Sequence, residues 1–188
     1  MATDPDAILD AARDAVMAVG VRRMTATDVA RRAGVSRMTL YRRYPDVPTL
    51  IQALMTREFQ SVVDRATEVV AALPSGRERA VEAAVSTAAD LAAHPLFERI
   101  VDVDPELLLP YVTTRVGEFQ RRALEAFQAL VEGGIEDGTI RDADAPTLAR
   151  VVELSLRGVV FATRAVSAER DELFAEFRVL LDGYLRPR

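Results

Sequence analysis

Cysteine, tryptophan and lysine are absent from this chain of 188 residues, and histidine occurs once. Without cysteine there is no disulfide and no thiolate metal site, and one histidine leaves zinc or iron only an all-carboxylate arrangement, so no metal and no cofactor is expected. No apolar run approaches the ~20 uncharged residues that a membrane-spanning helix needs. The N-terminal residues are acidic where an export signal is basic, which leaves the cytoplasm as the expected location and no membrane as a partner. A Gly-rich phosphate loop is missing, and the single histidine, His94, stands remote from any Ser-rich elbow, so the chain is not expected to be an enzyme.

What is present is apolar and charged. Hydrophobic residues make up 49 % of the chain, ample for one large domain or for a small one plus a medium one. The charges are segregated. Val21 to Pro45 holds seven Arg against one acid, Asp28, a local balance of +6 in a chain of net charge −5, whereas Asp46 to Arg188 holds 16 Arg and 24 acids. A basic segment on an acidic body is an electrostatic footprint for a polyanion, and arginine favours bidentate contacts.

The basic segment reads as two short helices joined by a tight turn. Thr25 is placed to cap the first, Asp28 completes the capping box, and Val29, Ala30 and Ala33 recur at helical spacing. Gly34 then supplies the positive φ at which a helix stops. Ser36 caps a second helix after only Val35 has been spent on the connection, so the axes must diverge sharply, the spacing of a helix-turn-helix. With Val35 and Leu40 turned inward, Arg37, Met38, Tyr41 and Arg42 face outward together. Tyrosine offers a hydroxyl for phosphate and a ring edge for a thymine methyl, while arginine forks onto guanine O6 and N7.

The run AGVS followed by TLYRRYP, after a Thr-capped helix ending in DVARRAG, resembles the DNA-binding domain of the TetR/AcrR-type transcriptional regulators over about residues 8 to 54. The resemblance implies that Thr25, Thr27, Arg37, Met38, Thr39, Tyr41, Arg42 and Arg43 touch phosphate or bases. The chain departs from the pattern at Val47, where members often carry a phosphate-binding Lys, and at Arg43, where many carry His.

The rest of the pattern is helical. Asp4-Pro5 starts a first helix that Ile8, Leu9, Ala12, Val16 and Val19 continue to Gly20. Pro45 ends the recognition helix, Asp46 caps the next, and a 3-4 rhythm from Leu50 to Leu73 carries a long fourth helix to a break at Pro74-Ser75-Gly76. Beyond it, helices are predicted over 77–93, 96–101, 112–135, 146–166 and 168–185, with a brief turn bracketed by Pro105 and Pro110 and a stop at GGIEDGTI. About nine helices and no convincing strand make the fold all-α. An N-terminal three-helix helix-turn-helix DNA-binding domain is expected over 3–62, sharing its fourth helix with a C-terminal helical domain over 63–188, which the resemblance makes the ligand-binding and dimerisation domain.

The last two helices are too broadly apolar for the surface of a monomer. Val152 and Val159 on one, with Phe174, Phe177, Leu181 and Tyr184 on the other, would meet a second copy in a four-helix interface about a two-fold axis. Such a homodimer presents two recognition helices about one turn of B-DNA apart and wants a palindromic operator in double-stranded DNA. Phe59, Phe97, Tyr111, Phe119, Phe127 and Phe161 come from helices that would surround one space. They read as ordinary core or, as the resemblance implies, as the lining of a cavity for a small-molecule effector. Arg157 either pairs with Glu153 or reads an acidic effector. His94 reads as a cap that closes a helix before Pro95 or as a ligand contact, and Glu118 and Glu125 as a solvated face. The expected function is a DNA-binding transcriptional regulator, a repressor by resemblance, released by a small apolar or amphipathic effector. The alternative is a DNA-binding module whose C-terminal domain only dimerises or docks a protein partner.

Overall fold

The structure is a computed structural model that describes residues 5 to 187. Those residues form ten α-helices and no strand, so the fold is all-α as expected, with one helix more than the sequence pattern resolves. They group into two compact units, residues up to Glu58 with His94–Arg115, and Phe59–Ala93 with Val116–Arg188.

The first unit contains α1 (Pro5–Val19), α2 (Ala26–Arg32), α3 (Arg37–Arg43), the first half of α4 (Val47–Val70), α6 (Pro95–Val103), a 3-10 turn at Pro105–Leu107 and α7 (Leu109–Thr113). The Asp4 cap lies outside the described residues. In α1, Ile8, Leu9, Ala12, Ala15 and Val16 are buried at 3-4 spacing, and the helix packs on α2 and α6. Gly20 stops it at φ +80° and returns its N–H to Val16 O at 2.8 Å. Leu50, Ile51 and Leu54 are the buried residues of the first half of α4, which Asp46 caps by accepting from the Thr49 N–H at 2.7 Å. Arg57 of α4 ties that helix to α1 by reaching Asp10 at 2.9 Å while holding Glu58 at 2.6 Å. His94 corrects one expectation: it opens α6 instead of closing the helix before it, because its Nδ1 accepts from the Leu96 N–H at 3.3 Å and Pro95 fills the first helical position.

The second unit contains the rest of α4, α5 (Gly76–Ala92), α8 (Glu118–Glu136), α9 (Ala145–Ala162), a 3-10 segment at Thr163–Glu169 and α10 (Arg170–Leu185). α5 packs on α8, α9 and α10, and α8 on α9. Small residues allow that closeness. A Cβ on Gly76 would lie 2.3 Å from Gly134 Cα, so the N-terminus of α5 touches the α8 backbone. The Gly133-Gly134 pair therefore lies inside α8, which runs to Glu136, one residue past the expected end at 135, and stops where Gly138 takes φ +72°. The other end of α8 is also later than expected, starting at Glu118 and not near 112. Gly117 is extended there and donates its N–H to Gln120 Oε1 at 2.8 Å, and Val116 is left exposed. The helix predicted over 146–166 is α9 and stops at Ala162; Val166 is non-helical at φ −130°, ψ 40°, and α10 begins at Arg170.

Candidate nucleic-acid interface

The two short helices form as their caps dictate. The Thr25 hydroxyl accepts from the Asp28 N–H at 3.2 Å, the expected N-cap, while the Asp28 carboxylate takes the Thr25 hydroxyl at 2.7 Å in place of the backbone N–H of a capping box, and Ala26, Val29 and Ala30 are the buried face of α2. After α2 the Val35 N–H returns to Ala30 O at 2.9 Å, across Gly34 at φ +66°. The Ser36 hydroxyl then accepts from the Thr39 N–H at 3.1 Å and starts α3. Leu40, 1 % exposed, is the one fully buried residue of α3, with Tyr44 just beyond the helix buried as well. Removing that Leu side chain would cost about 2–5 kcal/mol, so a single anchor fixes the rotation of the helix about its axis.

That rotation decides what faces outward. Arg37, Met38, Tyr41, Arg42 and Arg43 are all exposed, Met38 at 77 % and Tyr41 at 47 %, as are Thr25 and Thr27. Thr39 is half-buried, and its hydroxyl lies 2.9 Å from that of Ser36, so the cap occupies it; the Thr25 hydroxyl is occupied in the same way by Asp28. Apolar Met38 at such exposure stands unsupported by any protein core, and a base edge or thymine methyl is the kind of surface it suits.

The charges sort into engaged and unengaged. Arg31 reaches Asp28 at 3.4 Å and Arg22 reaches Glu106 at 2.6 Å. Hydrogen bonding from Thr25, and then from Arg31, holds the Asp28 carboxyl below the usual range, so it stays ionised and its charge subtracts from the patch. Arg23, Arg32, Arg37, Arg42 and Arg43 have no carboxylate within ion-pair distance among the described residues, and all five are exposed. Arg23 and Arg32 were legible in the sequence only as part of the charge balance; their exposure without a partner needs coordinates. These cations are free to displace counterions from a nucleic-acid backbone.

The residues expected to line an effector cavity divide between the units. Phe59, Phe119, Phe127, Arg157 and Phe161 belong to the second unit, and Phe97 and Tyr111 to the first. Phe59 and Phe119 meet edge-on with centroids 5.6 Å apart and planes at 68°. Phe127 is fully buried and Phe161 half-buried. Arg157 binds Glu153 with one guanidinium nitrogen 2.6 Å from each carboxylate oxygen, the pairing reading of the sequence. Phe97 is buried, and the Tyr111 hydroxyl accepts from Gln52 Nε2 at 3.1 Å. The expected dimer residues are placed differently from the stripe reading. Val152, Phe174, Phe177 and Leu181 are buried within this chain, Val159 is half-buried, and half-buried Tyr184 carries the Arg141 guanidinium 4.8 Å from its ring centroid. The large apolar residues left outside on α9 and α10 are Leu154, Val179 and Leu180, at 51 %, 64 % and 58 % exposure.

No helix of the described residues is long and apolar enough to cross a membrane. The family profile described as bacterial regulatory proteins, tetR family, matches residues 8–54. An uncharacterised HTH-type transcriptional regulator of Mycobacterium bovis is 32 % identical over 180 residues, covering 95 % of this chain and 92 % of that protein. Among solved structures, a TetR-family transcriptional regulator from Pectobacterium atrosepticum shares the fold with a TM-score of 0.77 at 23 % identity, covering 97 % of this chain and 95 % of that one. FadR of Bacillus subtilis, solved in complex with stearoyl-CoA, shares it with a TM-score of 0.68 at 16 % identity, covering 97 % of this chain and 100 % of that one. With a basic helix-turn-helix where the profile matches and close to a third of all positions identical to a regulator along nearly its whole length, this chain belongs to the TetR family of helix-turn-helix transcriptional regulators and is a DNA-binding protein.

Proposed function

We propose that the chain is a homodimeric repressor that reads a palindromic operator through α3 and is released by a small apolar or amphipathic effector held in the C-terminal domain, residues 63–188. The observation that carries the DNA half is the outward face of α3, where Arg37, Tyr41, Arg42 and Arg43 stand exposed around Met38. Support for the effector half is the T-shaped Phe59–Phe119 pair and buried Phe127 in the second unit, together with a similar fold that holds stearoyl-CoA in FadR. Support for the dimer is the apolar surface left on α9 and α10 at Leu154, Val179 and Leu180. An effector that prefers the conformation with wrongly spaced recognition helices lowers operator affinity by its differential affinity for the two forms.

Two measurements test this. Selection of duplexes from a random library by the purified chain should return a two-fold symmetric site, whose binding Tyr41→Ala or Arg37→Ala abolishes while the dimer persists in sedimentation. A thermal-shift screen of acyl chains and acyl-CoA should raise the Tm for at least one compound that also releases the selected duplex. An asymmetric site sinks the dimer reading, and a flat screen leaves the C-terminal domain as an assembly or protein-docking module.

A further inference from the structure

We propose that Asp104 is a positioning residue for DNA binding: its carboxylate, outside the helix-turn-helix, holds the α1–α2 connection that sets where α2 begins. Asp104 ends α6 and opens the 3-10 turn, with its N–H on Ile100 O at 2.9 Å and its C=O accepting from the Leu107 N–H at 3.1 Å. The residue is 1 % exposed, and its Oδ2 accepts from the Val21 N–H at 2.6 Å, a bond between residues 83 apart in sequence. The segment is therefore mechanically part of the unit that carries α2 and α3, although the family profile ends at residue 54.

The contact is shaped to close fit on both sides. Gly20 has φ +80°, and a Cβ there would lie 2.7 Å from Val103 Cγ1 and 2.9 Å from Asp104 Oδ2, so only glycine lets α1 end against this corner. The neighbouring Arg22 stretches its Nε to Glu106 at 2.6 Å and to Asp104 Oδ1 at 3.8 Å. Oδ1 has no hydrogen-bond partner, so a buried carboxylate is kept here with one oxygen served only by a charge at a distance. Such a group is costly to bury and does nothing for the core, which points to the bond its other oxygen makes. From Val21 the path to α2 is short. The Met24 N–H turns back onto Val21 O at 3.3 Å, Met24 is buried, and the next residue, Thr25, is the α2 N-cap. A displacement at Val21 reaches the cap with no flexible stretch to absorb it.

Two physical effects of removing Asp104 have opposite signs. Its negative charge lies beside the basic segment, so electrostatics alone makes the variant bind DNA more tightly. Loss of the acceptor frees the connection and makes it bind more weakly. The experiment compares Asp104→Ala with Asp104→Asn in the full chain, by fluorescence anisotropy at two salt concentrations on the duplex that the wild-type chain enriches from a random library. Circular dichroism melts run alongside. The wild-type affinity reports separately on the DNA-binding reading. Asp104→Ala is expected to lose on the order of tenfold in affinity with an unchanged salt slope while folded at the assay temperature, because the Val21 N–H is left without its acceptor. Asp104→Asn keeps an acceptor oxygen for the Val21 N–H and is expected to bind as tightly as wild type or more tightly. Unchanged or tighter binding by Asp104→Ala overturns the proposal, as does an equal loss in Asp104→Asn. Should Asp104→Ala melt below the assay temperature, Gly20→Ala perturbs the same contact from the α1 side. It is expected to lose both amide-exchange protection at Val21 and duplex affinity, and wild-type affinity in a variant whose Val21 amide has lost protection overturns the proposal.

Discussion

Arg43 closes α3 and Arg31 lies in the last turn of α2, and the structure gives the two like charges different surroundings. Arg43 is exposed with no carboxylate at ion-pair distance among the described residues, whereas Arg31 lies 3.4 Å from Asp28, whose carboxyl is held ionised. A cation that neutralises a phosphate releases about 0.9 of a counterion on B-DNA, so each such contact weakens binding by about 3.5-fold between 50 and 200 mM salt, and the two copies in a dimer by about 12-fold. Arg43→Ala should therefore flatten the plot of log affinity against log salt by about 0.9 per subunit while weakening all sequences alike. Arg31→Ala removes a charge already engaged by a carboxylate and should leave the slope within about 0.3 of wild type, although the uncovered Asp28 lowers affinity at every salt concentration. Anisotropy titrations on the selected duplex and on an unrelated one, at four salt concentrations, give both slopes. Equal slope changes for the two variants would refute the division of cations into engaged and unengaged, and no change for Arg43→Ala would remove that residue from the interface.

Other expectations concern the second unit. Gly76→Ala puts a Cβ 2.3 Å from Gly134 Cα, backbone that cannot step aside, and should destabilise by about 3 kcal/mol in urea melts; Gly133→Ala, with nothing within 4 Å, should stabilise by about 0.5–1 kcal/mol. Similar melts for the two would show that the α5–α8 approach is not as drawn. The Asp137 carboxyl is held below the usual range, first by the Thr139 hydroxyl and then by the Gly76 N–H. Its folded-state pKa is depressed, so its contribution is present above the ordinary Asp value, about 3.9, and is lost as pH falls through the lower folded value. Asp137→Asn should then narrow its stability gap to wild type in melts taken from pH 5 down to pH 2, and a gap that widens on acidification would reverse the assignment. Leu180→Asp, on exposed surface, should yield folded monomers in sedimentation velocity, while Phe177→Asp, 5 % exposed, should unfold the chain outright; a dimer intact in Leu180→Asp places the interface elsewhere.

Local rules were enough to read much of this protein from its amino acids. Thr25, Ser36 and Asp46 cap the helices they were expected to cap, because a capping hydroxyl or carboxylate and the N–H that it accepts from lie three residues apart and need nothing distant. The outward set on α3 followed from one inward residue, Leu40, since a seven-residue helix has only one rotation that buries it. The basic balance of Val21 to Pro45 was likewise a property of the chain. Whatever depended on a second segment was decided only by the folded molecule. The stripes on α9 and α10 are apolar because each helix buries one face, but periodicity states that a face is covered and not by what: Val152, Phe174, Phe177 and Leu181, expected against a partner, are buried within this chain. That Gly134 lets another helix approach is seen only with α5 against it, and His94 serves the helix after it because Pro95 leaves a donor at Leu96 to be capped. Asp104 meets Val21 across 83 residues, and no pattern of spacing or composition marks such a pair, since what joins them is the packing of α6 on α1.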